Sequence, residues 1–273
     1  MDELRAALAL ARKDIRVVSR YRLSVASQIF TPLYQGVLPA LLFGASFAVS
    51  GKVVGLEKTI GTDDLAGFIF LGGIISGLVA TAFWGMAMSF RNEMETGTLE
   101  PTWLTPTSKE MLVLGRALGG MFWFVFGQVA ILSIGVAFFG LRLRWEMVYA
   151  LPALVLAAIA LVGVAHLLAG IVLTIKDANL FIDCTNFLFA TASGAAFPVL
   201  LLPGVLQPIA YALPTTYAMD ILRYHALGTR PLIDPALEYV ALIATTLVMF
   251  PLGRWAFDRA EQRMRVRGTL SQY

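Results

Sequence analysis

The chain has 273 residues, of which 58% are hydrophobic and only 14% charged, and its mean hydropathy is +0.74. That balance excludes an ordinary soluble domain of this length and marks a polytopic membrane protein. Although the pI is near 9.1, the basic residues are distributed as a topology signal rather than as a nucleic-acid surface, and no nucleic-acid partner is expected.

Residues 1–22 place Leu4, Leu8, Ala11, Ile15 and Val18 at helical intervals, with Arg5, Arg12, Arg16 and Arg20 opposite. This predicts an amphipathic surface helix. No small-residue cleavage site follows, so a cleavable signal is not expected. Two roles stay open for it: an anchor on anionic membrane lipid, or a docking surface for a cytoplasmic partner.

The first span covers residues 23–49, longer than the ~20 residues that cross a bilayer, and Pro32 and Pro39 should bend it. Gln28, Thr31, Tyr34 and Gln35 make its first half polar, so this face should meet protein or a hydrated path. A second span, residues 65–90, holds five glycines, of which Gly73 and Gly77 have the small-xxx-small spacing of close helix packing. Between it and the third span lies the polar stretch Arg91 to Arg116. Its Glu93, Glu95, Glu100, Lys109 and Glu110 cannot sit in hydrocarbon.

The third and fourth spans, residues 111–139 and 147–175, form a hairpin through the short turn 140–146. Gln128 and His166 are their strongly polar side chains, and each needs a partner in lipid. For His166 the choice is between a structural hydrogen bond and a proton relay. From residue 180 to 219 about 40 residues carry little charge and are broken by Pro198, Pro203, Pro208 and Pro214. Charge decides how they cross. With six spans, fifteen of the 21 Lys and Arg residues lie inside, and only Lys52, Lys58, Arg142, Arg144, Arg223 and Arg230 lie outside. Seven spans would export the basic C-terminal tail, against the positive-inside rule. Residues 180–202 are therefore expected as the fifth span and 203–230 as an external re-entrant hairpin. That hairpin should contain a short interfacial helix over 217–224, started by Pro214 and Thr215 and ended by Gly228. Residues 236–255 form the sixth span, and 256–273 a cytoplasmic tail. The whole chain reads as one all-α permease domain with both termini in the cytoplasm.

Catalytic motifs do not emerge. Gly51-Lys52 lacks the rest of a P-loop, there is no HExxH or GxSxG, and the lone Cys184 and the two histidines support no metal site. The chain is expected to be non-catalytic and to hold no cofactor. Asp183 is the intramembrane carboxylate considered for ion coupling, and Lys176 is a possible partner for it. A single carboxylate is slight support for the alternative reading, an ion-coupled secondary transporter, so coupling to a partner subunit is preferred.

The polar stretch gives that partner a character. Glu95, Gly97-Thr98-Leu99-Glu100, Thr105-Pro106, Ser108 and Leu114-Gly115-Arg116 resemble the cytoplasmic segment of type-2 ABC exporter permeases, E-x-G-T-L-E-x-L-x-x-T-P-x-S followed by L-G-[KR]. A second motif, Pro198, Pro203, Leu206-Gln207, Pro214, Thr216-Tyr217, Asp220 and Arg223, resembles that family's external segment. The resemblance implies a half-transporter that pairs with a second permease copy, as a homodimer in a 2+2 complex with two cytoplasmic ABC ATPase subunits. ATP and Mg would bind in those partners. It implies that residues 91–110 form a coupling segment, with Glu93, Glu95, Gly97, Thr98, Leu99 and Glu100 in contact with the ATPase. Pro101 departs from the family pattern and should end the coupling helix at or before Glu100. The implied substrate path runs between the two permeases, with Gln28, Tyr34, Phe43, Phe187 and Phe197 as candidates. The hairpin residues Pro214, Tyr217, Asp220 and Arg223 would form its lid, with Asp220 and Arg223 paired to each other. Such a protein sits in the plasma membrane of a bacterium or archaeon, and its cargo would be an amphipathic drug, lipid or lipid-linked saccharide.

Overall fold

A computed structural model describes residues 2–46, 54–87, 97, 109–174 and 179–267. The chain is all-helical, with no strand among the described residues, and five helices are long and apolar enough to cross a membrane. It is a polytopic all-α membrane protein.

Helix α1 (Asp2–Arg20) leads into α2 (Arg22–Pro32), a five-residue π turn at Leu33–Val37, and α3 (Leu38–Ser46). Together the last three make the first span. The π turn follows directly on Pro32, which has no N–H to give to the helix ladder. The short α4 (Val54–Ile60) precedes α5 (Leu65–Ala80), which the side chain of Asp64 caps by accepting from Gly67 N (2.7 Å). Beyond Ala80 the second span widens into another π segment, Thr81–Ala87.

Helix α6 (Lys109–Phe138) is the third span, and a 3-10 turn at Trp145–Ala150 opens α7 (Leu151–Thr174), the fourth. Helix α8 (Asn179–Ala192) has 14 residues, about 21 Å, against a hydrocarbon thickness of about 30 Å. The expected fifth helix therefore stops at Ala192 rather than Leu202. Gly194 (φ +81°) takes the left-handed conformation just after it, and the chain continues through a 3-10 turn at Val199–Leu201. Helices α9 (Gln207–Ala212) and α10 (Pro214–Leu227) form the hairpin. Helix α11 (Pro235–Arg267) is 33 residues long, about 50 Å, so the sixth span runs on as helix into the segment expected as a tail.

Two packing choices fix this arrangement. A stripe of Ala153, Ala157, Ala160, Ala165 and Ala169 on α7 is fully buried, and α11 lies along the same helix. Their backbones touch where Gly163 meets Gly253: a Cβ on Gly253 would lie 1.8 Å from Gly163 O. At the other contact α1 lies against α6. A Cβ on Gly115 would sit 2.6 Å from Ala7 O, and one on Gly119 3.2 Å from Asp14 Cβ. Ala7 and Ala11 are buried there while Leu4 and Leu8 stay exposed, so the surface helix has a protein-facing side as well as an outer one. Replacing Gly115 by leucine should cost about 1–3 kcal/mol through overpacking and lift α1 from its seat. Hydrogen exchange over residues 2–20 should accelerate while exchange in α7 and α11 stays unchanged.

Helix α10 corrects the expectation of an interfacial helix. It starts at Pro214 and ends at Gly228 (φ +71°), whose N–H returns to Tyr224 O, as the turn chemistry predicts. Yet Thr215 to Met219, Ile221, Leu222, Arg223 and Ala226 are all buried. The helix is a core element, packed against α5, α7 and α11.

Candidate functional site

At the end where α1 sits, a groove of about 870 Å³ opens between α1, α2, the π segment Thr81–Ala87 and α6. Its mouth carries Lys13, Asp14 and Arg116; its walls carry Ser27, Gln28, Thr31, Thr81 and Gln128 among the apolar Leu78, Trp84, Trp123 and Phe124. Glycine sets its shape. A Cβ on Gly127 would lie 2.9 Å from Gln28 O, so α2 crosses α6 at close range there. A Cβ on Gly77 would lie 2.7 Å from Gln128 Nε2, which seats that amide against the second span. Gly77 thus serves packing within the chain, and Gly73 has only Val37 near it, at 3.9 Å. A cavity of this size, mostly apolar with a few placed polar groups, has the general form of a small-molecule site.

The residues expected along a substrate path divide. Gln28 lines the groove. Tyr34, Phe43, Phe187 and Phe197 do not; they are 57%, 62%, 71% and 53% exposed. Tyr34 accepts a hydrogen bond at its hydroxyl from Gln35 Nε2 (2.9 Å). Of the coupling residues, Gly97 lies in a turn with φ +67°. Glu93, Glu95, Thr98, Leu99, Glu100 and Pro101 lie outside the described residues, as does Lys176.

His166 donates from Nδ1 to Val162 O (2.7 Å) and sits edge-on to Phe257 and Phe250. This is a local hydrogen bond to the preceding turn of the same helix. Asp183 is exposed on α8.

At the hairpin end Arg223 is 4% exposed. Its guanidinium donates to Gly194 O (2.6 Å), Ala195 O (2.9 Å) and Phe68 O (3.1 Å) and lies 3.5 Å from the Phe68 ring centroid. This overturns the expected pairing with Asp220 as its main contact. Asp220 instead accepts from Leu232 N (2.7 Å), tying α10 to the approach of α11. Residue spacing suggested the i, i+3 pair because it sees only the helix. A guanidinium is better served by the two carbonyls released by the break after α8, Gly194 O and Ala195 O, together with Phe68 O on α5, which no local pattern reveals. Thr216 Oγ1 donates to Ala210 O (2.6 Å) and Tyr217 OH to Tyr211 O (2.7 Å), so both close the hairpin on itself. Nearby, burial holds the His225 imidazole below its ordinary range, with Glu146 opposing and Arg144 reinforcing.

Sequence reasoning missed Trp84, Trp123, Thr81 and Arg116 as groove residues. Their signal is weak because tryptophan and threonine on a span read equally well as packing.

The sequence matches the family described as ABC-2 type transporter over residues 5–227. It is also similar to Nodulation protein J of Rhizobium meliloti (strain 1021), 27% identical over 202 residues, which span 68% of this chain and 76% of that protein. The matched region runs from α1 through the first spans, the polar stretch and α8 to the last residue of α10, and so takes in both the groove and the hairpin. The chain belongs to the ABC-2 type transporter family, as a multi-pass membrane subunit of an ABC transporter.

Proposed function

We propose that this subunit exports an amphipathic cargo outward, through a path between two permease copies, driven by a separate ATPase. What supports the reading most is family membership over a region that includes the charged stretch 91–110. The chain carries no nucleotide motif of its own, and the glutamates of that stretch offer negative charge to a partner. A short element of this kind transmits ATP-driven closure to the spans as a rigid-body shift. The exposed aromatics Tyr34, Phe43, Phe187 and Phe197 are available to line a path once a second copy is present. With the basic tail inside, α1, the groove mouth and residues 91–110 face the cytoplasm and the hairpin faces outward, in a bacterial or archaeal plasma membrane.

The direct test is co-purification from native membranes. The wild-type chain should bring an ABC ATPase with it, and Glu95→Ala combined with Glu100→Ala should reduce recovery of that ATPase at least tenfold. Full recovery with the double variant would remove these residues from the contact.

A further inference from the structure

The groove beside α1 holds polar groups whose bonding the chain leaves open. Gln128 lies near the middle of the span Leu114–Phe138, and Gln28 faces the same groove from α2. Neither side chain has a hydrogen-bond partner among the described residues. Trp123, only 9% exposed, also lines the groove, and its indole Nε1 is buried without an acceptor. Three uncharged hydrogen-bonding groups at bilayer depth are costly when empty of partners. The two amides line one cavity, which is what a binding site requires and what packing alone avoids.

Charge separates the possible ligands. The ionisable residues of the groove are Lys13, Asp14 and Arg116, with Asp14 acting electrostatically on the Arg116 guanidinium. Arg116 lies twelve positions before Gln128, roughly 18 Å along the helix. An ionic head at the level of the two glutamines would meet no countercharge and would keep its full desolvation cost. A hydroxyl- or amide-bearing head would exchange hydrogen bonds with both side-chain amides, each of which donates and accepts. The helices are also locally altered here. The second span contributes Thr81, Trp84 and Gly85 from its π segment, and Thr31 and Pro32 stand just before the π turn of the first span. Single π turns recur at functional sites because they shift side-chain register without ending the helix.

We infer that this groove, within one protomer, binds an amphiphile whose head is uncharged and rich in hydroxyl or amide groups. Gln28 and Gln128 hold the head, and Leu78, Trp84, Trp123 and Phe124 hold its apolar part. The inference names a cargo class for the export reading and rests on that reading only for the claim that the bound molecule is moved.

The test uses the full chain in phosphatidylcholine nanodiscs and a bromine-labelled octyl glucoside as the probe, with quenching of tryptophan fluorescence as the readout. Chain-matched brominated octyl phosphate and octyl trimethylammonium serve as ionic comparisons. Quenching by the glucoside should saturate, with a midpoint at least tenfold below either ionic probe. Gln28→Leu and Gln128→Leu should each raise that midpoint about tenfold. Gly77→Ala, which drives a methyl into the Gln128 amide while leaving both glutamines in place, should raise it likewise and covers the case in which a leucine variant does not fold. Quenching that never saturates, that is equal across the variants, or that favours an ionic head would overturn the inference. ATPase co-purification is read separately: its loss with glucoside binding intact counts against export alone, and the reverse result against this site alone.

Discussion

Arg223→Leu is expected to destabilise the protein by about 3–5 kcal/mol, because it strands buried backbone acceptors as well as removing bonds. The carbonyls of Gly194, Ala195 and Phe68 converge on this one guanidinium. A leucine fills part of the volume and satisfies none of them. No nearby water-exposed route replaces the bonds, since Ser193, Gly194 and Ala195 are themselves buried. Gly72 enforces the geometry from the other side: a Cβ there would lie 2.2 Å from Ala195 O, so the loop after α8 sits directly on the second span. Arg223→Lys should retain only part of the stability, because an ammonium lacks the planar fork that reaches carbonyls in two directions. Thermal unfolding in detergent should rank wild type above lysine above leucine. Hydrogen exchange should speed first over residues 193–202 and 207–227. A leucine variant that unfolds with the wild type would show that the clamp contributes nothing.

Gly253→Ala is expected to destabilise by roughly 3 kcal/mol, at the upper end of overpacking costs. The sign is not the usual one. In an exposed helix this change gains about 1 kcal/mol from helix propensity. Here the added methyl would lie 1.8 Å from Gly163 O and 2.5 Å from its carbonyl carbon, both backbone atoms that cannot rotate away. Steric cost therefore wins, and α7 and α11 must separate. Gly170→Ala supplies the graded comparison on the same pair of helices. Its methyl would meet the Ala260 Cβ at 3.2 Å, a contact that a shift of a few tenths of an ångström relieves. Melting temperatures should fall slightly for Gly170→Ala and sharply for Gly253→Ala. Equal melting temperatures would mean that the two helices have room to slide apart.

These two sites show where sequence reading reaches and where it stops. Hydropathy placed the starts of the long helices to within a few residues, because a span of apolar side chains is a one-dimensional property, but not the end of α11, which runs to Arg267. The start and end of α10 were also legible, since Pro214 and Gly228 act through their own backbone. The burial of α10 was not. Its sequence, with Asp220, Arg223, Tyr224 and His225, reads as an interfacial helix, and only the carbonyls freed by the break after Ala192 give Arg223 a reason to be inside. The end of α8 was misplaced for a related cause: residues 193–202 are apolar enough for a span, but Gly194 in the left-handed region turns the chain. In the groove, Gln28 and Gln128 stood out as polar residues in lipid. That they face one cavity depends on the crossing at Gly127, a three-dimensional fact.

The Gly163–Gly253 contact has the same character. Each glycine alone is unremarkable in a membrane helix, and their meeting depends on the register of two spans far apart in sequence.

ATP-dependent transport in proteoliposomes decides the proposed function most directly. The chain, reconstituted with its co-purifying ATPase, should move an uncharged amphiphile such as a fluorescent alkyl glucoside only when ATP is supplied on the side of α1. Movement should stop with the Glu95→Ala, Glu100→Ala variant. Transport by the chain alone, driven by an imposed ion gradient and indifferent to ATP, would contradict the account.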